Sequence, residues 1–298
     1  MGHAVSEEAC RGLKLLFIVG AGLGPQHVTD LAKSLIKRAE VVIVEAYTSP
    51  NSDWLEDMAK ALNKATVKAT RDLLEENVNK LIDMARYRDV VVLVAGDPLI
   101  ATTHSSVVVE ALTRGVKVKV IPSVSGPCAA MSLSGLQFYR FGRKVTVPGP
   151  WRGADVTPVA YWLLGNLCLD LHSLILLDVD QEGRQLPPAD GTRELLKAFN
   201  ELLSDQREDL GDLLVLAVSA TDNDVYATYS RLSEPEALRP ITPSTMIVPA
   251  SLHPVEQEFL KLVHGVPSGL IDLHLKLLRR IDPCNLYFSA RHKVMASP

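Results

Sequence analysis

Four short runs of aliphatic, mostly β-branched residues constrain this chain more than any other feature. They are residues 15–19 (LLFIV), 41–46 (VVIVEA), 90–95 (VVVLVA) and 116–121 (VKVKVI). Each is closed by turn residues, and helical patterns separate them. Val28, Leu31, Ala32, Leu35, Ile36 and Ala39 recur at the spacing of one helix face. Asp72 with Glu75 reads as a capping box opening a helix that buries Leu74, Val78, Leu81, Ile82 and Ala85. A third helix runs through residues 107–112. Strands that are apolar on both faces and alternate with helices predict a parallel sheet covered on both sides, hence an α/β fold. Ligands of such sheets bind beyond the carboxyl ends of the strands, so the loops after Val19, Ala46, Ala95 and Ile121 carry the functional interest.

The pattern changes in the second half. Residues 148–153 (PGPWRG) read as a linker. Beyond them, strands are expected at 173–179, 213–219, 225–230 and 245–249. The middle pair forms a hairpin turning at Thr221-Asp222-Asn223-Asp224. A helix starting at Pro254 and ending at Gly265 is expected to bury Val255, Phe259, Leu262 and Val263. The expected division is an N-terminal arm over 1–12, an α/β domain over 13–144, a mixed-sheet α/β domain over 145–265, and a tail over 266–298. The tail carries a stripe of Leu270, Leu273, Leu277 and Ile281.

Composition excludes several functions. Lys and Arg total 31 against 35 Asp and Glu, a net charge of −4, so no basic excess supports nucleic-acid binding by phosphate neutralisation. Aromatics are only 5%, too few for a platform that stacks single-stranded bases. The longest apolar run, 90–95, is far too short to span a bilayer. The opening ten residues contain Glu7 and Glu8 and no apolar stretch. They read neither as a signal peptide nor, despite Met1-Gly2, as a myristoylation signal. Cys10, Cys128, Cys168 and Cys284 are scattered without metal-ligand spacing, so the expectation is four reduced thiols, no metal site and a cytoplasmic location.

Three loops invite a ligand. Residues 20–25 (GAGLGP) follow a strand and precede a helix, and Glu45 stands where a ribose-binding acid would. However, Pro25 occupies the place of the third glycine in a dinucleotide fingerprint, and no P-loop Lys-Ser/Thr follows. Gly96-Asp97-Pro98 offers close backbone approach, a fixed acceptor and a stiff turn. Ala101, Thr102, Thr103 and His104 come next. Residues 122–127 (PSVSGP) add small side chains and backbone N–H groups.

Together these loops resemble the tetrapyrrole-methylase-like class of S-adenosylmethionine-dependent methyltransferases, with GAGLG, GDP and PSVSG at the family's three motif positions. Ser123 departs from that pattern by replacing a glycine of the third motif. Within the class the chain is similar to the diphthine synthase family. The resemblance rests on GDPLIATTH (96–104), EAYTS (45–49), GLQFYRFG (135–142), LHSLILLDV (171–179) and IVPASLHPVEQEFL (247–260), and covers roughly residues 14 to 265.

The resemblance implies a two-domain homodimer holding S-adenosylmethionine between its domains and releasing S-adenosylhomocysteine. Carried over by position, the cofactor contacts are Leu23, Asp97, Ile100, Ser125, Gly126, Leu177, Ser219 and Ser244. The implied partner is translation elongation factor 2, whose 2-(3-amino-3-carboxypropyl)histidine is methylated repeatedly on its amino group to diphthine. The attacking amine must be neutral, and Asp97, Glu45 and His104 stand at the right sheet edge to serve as a base, with no assignment forced. Competing readings are a methyltransferase of the same class acting on a cobalamin precursor or ribosomal RNA, a non-catalytic cofactor-binding regulator, and a nicotinamide dehydrogenase. The last fails at Pro25.

Overall fold

Burial on both faces drives the apolar runs into the interior of a sheet. In a computed structural model, which describes residues 14–45, 47, 52–206, 209–220 and 225–295, the chain divides into two units, Met1–Ser125 and Gly126–Pro298. The expected N-terminal arm, Cys10, residues 46, 48 and 49 of the EAYTS segment, and the turn at 221–224 lie outside the described residues.

The first unit runs β1 (Leu15–Gly20), α1 (Asp30–Arg38), β2 (Val41–Glu45), α2 (Trp54–Ala61), β3 (Thr66–Ala69), α3 (Val78–Tyr87), β4 (Val90–Val94), α4 (Ser105–Thr113) and β5 (Lys117–Ile121). The five strands form one parallel sheet in the order β3-β2-β4-β1-β5. Alternate side chains serve opposite cores. Leu16, Ile18, Val90, Val92 and Val94 pack with α3 and α4. Val19, Val91 and Leu93 pack with α1 and α2 on the other face. The helices that follow the neighbouring strands β1 and β4 therefore cover opposite faces, which makes the gap between their carboxyl ends a topological switch point. Parallel register pairs Gly20 with Val94, so the loops after these two strands emerge side by side.

The capping box at Asp72 does not form. Asp72 opens a π-helical turn (Asp72–Glu76), and its carboxylate accepts from Asn77 Nδ2 at 2.6 Å instead of from a helix N-terminus. α3 begins only after that turn, but Leu74, Leu81, Ile82 and Ala85 are buried as expected.

The second unit contains α5 (Gly126–Leu133), β6 (Val145–Val147), α6 (Thr157–Cys168), β7 (Ser173–Leu177), α7 (Pro188–Leu202), β8 (Leu214–Ala220), β9 (Val225–Arg231), β10 (Thr245–Val248), α8 (Pro254–Leu262), α9 (Ser268–Arg280) and α10 (Pro283–Met295). Its mixed sheet has the order β6-β7-β10-β8-β9, with only β6 and β7 parallel. One face packs on α6, α7 and α10, the other on α5, α8 and α9. The first unit ends at Ser125, ahead of the expected division after 144, because α5 packs with the second unit: Ala130 and Met131 join the core of its mixed sheet. Residues 148–153 are not a linker between domains. They form a 3-10 turn (Pro150–Arg152) between β6 and α6.

Three expectations change in this unit. The tail over 266–298 contains two helices, and Leu277 and Ile281 of its stripe are buried in the core. Cys168 and Cys284 form a disulfide with Cα atoms 4.4 Å apart. The sequence hides this pair because 116 residues separate them. α10 lies along α6, where the Tyr161 and Tyr287 rings stack at 4.5 Å and Gly165 leaves room for Tyr287. In the chain-entropy account a crosslink over such a loop is worth roughly 5 kcal/mol. The argument from reduced thiols to a reducing compartment falls away with it.

The third change concerns α8, which turns three of the four residues of its expected buried face outward: Val255, Leu262 and Val263 are 67%, 81% and 60% exposed, while Phe259 stays half-buried over Gly135. Glu256 and Leu260 are buried in their place. An acid faces the interior here because four donors meet it. Gln137 N (2.9 Å) and His172 Nε2 (3.1 Å) donate to Oε1, while His253 N (2.7 Å) and Arg140 Nη1 (3.1 Å) donate to Oε2.

Two buried histidines hold Ala250 from both sides. His172 Nδ1 accepts from Ala250 N at 3.0 Å. His274 Nε2 donates to the Ala250 carbonyl at 3.1 Å, while its Nδ1 accepts from Leu214 N at 3.1 Å. Burial pushes His274 down to about 4 from an ordinary 6.5. Between those values the unfolded chain binds the extra proton and the folded chain does not. Stability is thus fully present above pH 6.5 and falls as the pH drops towards 4. The expected loss from His274 alone is roughly 3 kcal/mol. Urea unfolding of wild type across this window should show the slope, and His274→Leu, though less stable at neutral pH, should show a shallower one. An equal slope in both would exclude His274 as the source.

Candidate functional site

The three loops singled out in the sequence meet at the carboxyl edge of the parallel sheet. Ala21 N donates to the Val94 carbonyl at 2.8 Å. Gly22 and Gly96 exchange backbone hydrogen bonds, Gly96 N to Gly22 O at 2.8 Å and Gly22 N to Gly96 O at 3.2 Å. The reason for glycine at position 20 is close approach: a Cβ there would lie 2.7 Å from Gly96 O and 2.9 Å from Pro98 Cδ in one loop, and 2.8 Å from Ser123 Cβ in the other. Gly96 has φ of 80°, which few other residues adopt, and Val124 O at 3.9 Å and Ser125 Cα at 4.0 Å lie nearest to a Cβ position there among the described residues beyond its chain neighbours.

Asp97 fastens this junction. Its buried carboxylate accepts from Leu99 N at 2.9 Å through Oδ1 and from Ser123 N at 3.0 Å through Oδ2, tying its own loop to the one after β5. Leu23 is half-buried and donates its N–H to His27 Nδ1 at 3.2 Å. The sequence reading missed His27, since only the folded turn brings a residue four positions on back to this N–H. Ile100 is 41% exposed, and Leu99 in the same loop and Val124 in the loop after β5 are exposed too, which leaves apolar surface on both loops. Ser125 is buried at the end of the third loop. Small residues, open backbone and exposed apolar side chains at a switch point suit a ligand combining a flat apolar ring with polar groups.

Two of the candidate bases are enclosed. Glu45 is wholly buried at the end of β2, and Oε1 accepts from Tyr47 N at 2.5 Å. His104 is also buried, with Nδ1 3.0 Å from the Pro98 carbonyl. Burial, reinforced by the nearby charges of Glu75 and Glu45, raises the Tyr47 hydroxyl well above its usual range.

The remaining expected contacts belong to the second unit, where the register aligns three of them. In the β10–β7 ladder Met246 pairs with Ile175, and in the β10–β8 ladder Thr245 pairs with Val218. Continuing both registers brings Leu177, Ser244 and Ser219 into one row across three neighbouring strands. The Leu177 side chain points into the core against Gly191, so a ligand would meet its main chain. Ser244 is held on both sides by Gln185, which accepts from Ser244 N at 2.8 Å and donates to Ser244 O at 2.9 Å. Ser219 is buried and pairs in register with Tyr226. Gly126 opens α5, and among the described residues nothing beyond its own neighbourhood in the chain comes within 4 Å of a Cβ position.

Next to this row stands Asp178. Burial works to raise its carboxyl, but the Arg152 guanidinium and the N–H groups of Gly149 and Val179 outweigh it and hold the group below its ordinary value. Gln185 and Asp178 were not legible as site supports, because their partners lie 59 and 26 residues away. Among the described residues, no group of three or more His, Cys, Asp or Glu side chains is arranged to hold a metal ion.

Comparison with known proteins gives a consistent assignment. The profile of the tetrapyrrole (corrin/porphyrin) methylases matches residues 15–212. A diphthine synthase of Aeropyrum pernix is 40% identical over 259 residues, 84% of this chain and 87% of the relative. A crystal structure of a conserved hypothetical protein from Aeropyrum pernix K1 superimposes with a TM-score of 0.80 at 35% identity, covering 92% of this chain and 98% of that one. A crystal structure of diphthine synthase gives a TM-score of 0.76 at 32% identity, covering 87% and 99%. The chain belongs to the tetrapyrrole methylase family and, within it, to the diphthine synthases.

Proposed function

We propose that this chain is an S-adenosylmethionine-dependent methyltransferase that repeatedly methylates the amino group of the 2-(3-amino-3-carboxypropyl)histidine of translation elongation factor 2, giving diphthine. The observation that carries the reading is the junction of the glycine turn, the Gly96-Asp97-Pro98 loop and the loop after β5, tied by Asp97 at the switch point of a parallel sheet in a member of this family. The eight expected contacts stand at two sheet edges: Leu23, Asp97, Ile100 and Ser125 in the first unit, and Leu177, Ser219 and Ser244 in the second, with Gly126 opening α5.

When bound, S-adenosylmethionine supplies an activated methyl group on a sulfonium. The protein's share is to hold cofactor and amine at near-attack distance, which can contribute most of the acceleration. Asp97 keeps the binding loops in shape, and Ile100 with Leu99 and Val124 offers apolar contact. The buried setting of Glu45 and His104 favours solvent over either residue as the proton acceptor.

The chain is proposed to work as a homodimer. The outward-facing stripe of α8, Val255, Leu262 and Val263, supports self-association, because soluble monomers rarely leave such a helix face uncovered. Among the described residues no helix is long and apolar enough to cross a membrane. The deciding assay incubates the chain with S-adenosylmethionine and elongation factor 2 carrying the aminocarboxypropyl-histidine, then counts added methyl groups by mass spectrometry. Successive methyl additions are expected. Cofactor binding without any mass gain would overturn the reading.

A further inference from the structure

The stretch after Asp97 folds back on itself, and the device that holds it there has a single histidine at its base. Ala101 stands at φ of 58°, a left-handed conformation that residues with a side chain avoid unless their surroundings impose it. The imposing contacts converge on one atom. The Pro98 carbonyl accepts from Thr102 Oγ1 at 2.7 Å and from His104 Nδ1 at 3.0 Å. Because a carbonyl can only accept, Nδ1 carries the ring's hydrogen. The other nitrogen, Nε2, is buried and meets no protein partner among the described residues. The ring itself is 1% exposed and sits edge-on to Tyr47, centroids 6.3 Å apart. Thr103, between the two donors, bonds Glu75 Oε1 at 2.8 Å.

Pro98 follows directly on Asp97, whose carboxylate ties Leu99 N and Ser123 N. Fixing the Pro98 carbonyl therefore fixes the peptide that aims this carboxylate. We infer that His104 is a positioning residue for the cofactor loop: through its Nδ1 hydrogen bond to the Pro98 carbonyl it sets affinity for S-adenosylmethionine and takes no part in the methyl-transfer step. The inference rests on the function proposed above. A role as proton acceptor would need Nε2 within hydrogen-bond reach of the substrate amine, whereas positioning uses only Nδ1.

The two nitrogens can be separated by substitution. His104→Asn places an amide N–H near the Nδ1 position, and His104→Gln places one near Nε2. On the full chain, calorimetry with S-adenosylmethionine should give His104→Asn an affinity within about threefold of wild type. His104→Gln should bind roughly tenfold more weakly, the scale of one lost hydrogen bond. Methyl transfer at saturating cofactor should be preserved in both. Thr102→Val, which removes the second donor to the same carbonyl, should weaken binding in the same direction and keeps the test readable if the Gln variant folds poorly.

Equal losses of affinity in the Asn and Gln variants would reduce the ring to space-filling and overturn the inference. So would a fall in turnover at unchanged affinity. Wild-type chain that binds no S-adenosylmethionine would instead remove the proposed function, and the inference with it. Wild-type binding that His104→Gln and Thr102→Val leave unaltered removes the inference alone.

Discussion

Asp97→Asn is expected to weaken S-adenosylmethionine binding at least thirtyfold in a chain that still folds. The carboxylate meets two backbone N–H groups, Leu99 N at 2.9 Å and Ser123 N at 3.0 Å, one on each oxygen. An amide has one oxygen and one NH2 group, so either orientation sets N–H against N–H. One bond is lost, a buried donor goes unsatisfied, and the junction between two loops opens. The scale is about 2–3 kcal/mol. The penalty should appear mainly in affinity, because these loops join at the ends of strands whose apolar cores are untouched. Calorimetry of the full chain beside a thermal melt measures both parts. Unchanged affinity with abolished turnover would mean that Asp97 acts in the chemistry instead of orienting the cofactor.

The second large effect is on stability. Glu256→Ala should cost about 3–5 kcal/mol, because it strands the buried His172 and two backbone N–H groups and takes one partner from Arg140. Arg140 keeps Asp170 Oδ2 at 2.7 Å and Ser251 Oγ at 2.9 Å, so its charge is not left wholly unpaired. Burial alone would raise the Glu256 carboxyl, but the N–H groups of Gln137 and His253 and the His172 ring outweigh it and hold it below the ordinary 4.5. Its contribution is therefore present above the unfolded value and disappears as the pH falls through the lower folded one. The gap between wild type and Glu256→Ala in urea should be full at pH 7 and narrow in acid below that range. A variant within 1 kcal/mol of wild type at pH 7 would show the acid to be incidental.

Legibility followed the range of the interactions. β1, β2 and β4 were readable because a parallel strand buried on both faces is a contiguous apolar run, whereas β5 alternates exposed lysines with valines; the loops that end all four are contiguous motifs. β3 was not singled out: four residues with Val67 and Lys68 both exposed carry no such run. α6 escaped because its buried residues, Val159 through Leu167, surround the helix and leave no stripe. α8 misled in the opposite sense. Its stripe of Val255, Phe259, Leu262 and Val263 has helical periodicity, but periodicity alone does not tell a core face from an exposed one, and an acid with four donors took the inside beside a half-buried Phe259. The site divided in the same way. Gly20, Asp97 and the loop after β5 stand in motifs. What holds them and their counterparts in place, such as His27 on Leu23, His104 on Pro98 and Gln185 on Ser244, exists only after the chain has folded.

Among the described residues the parallel sheet is open at both ends, with β3 on one side and β5 on the other. An outermost strand presents unpaired N–H and C=O groups that any other extended chain could adopt as a template. Both strands carry lysine there: Lys68 on β3, and Lys117 and Lys119 on β5, all exposed. An incoming strand would have to bury or crowd these ammonium groups. The sheet is thereby guarded against growing into a fibril.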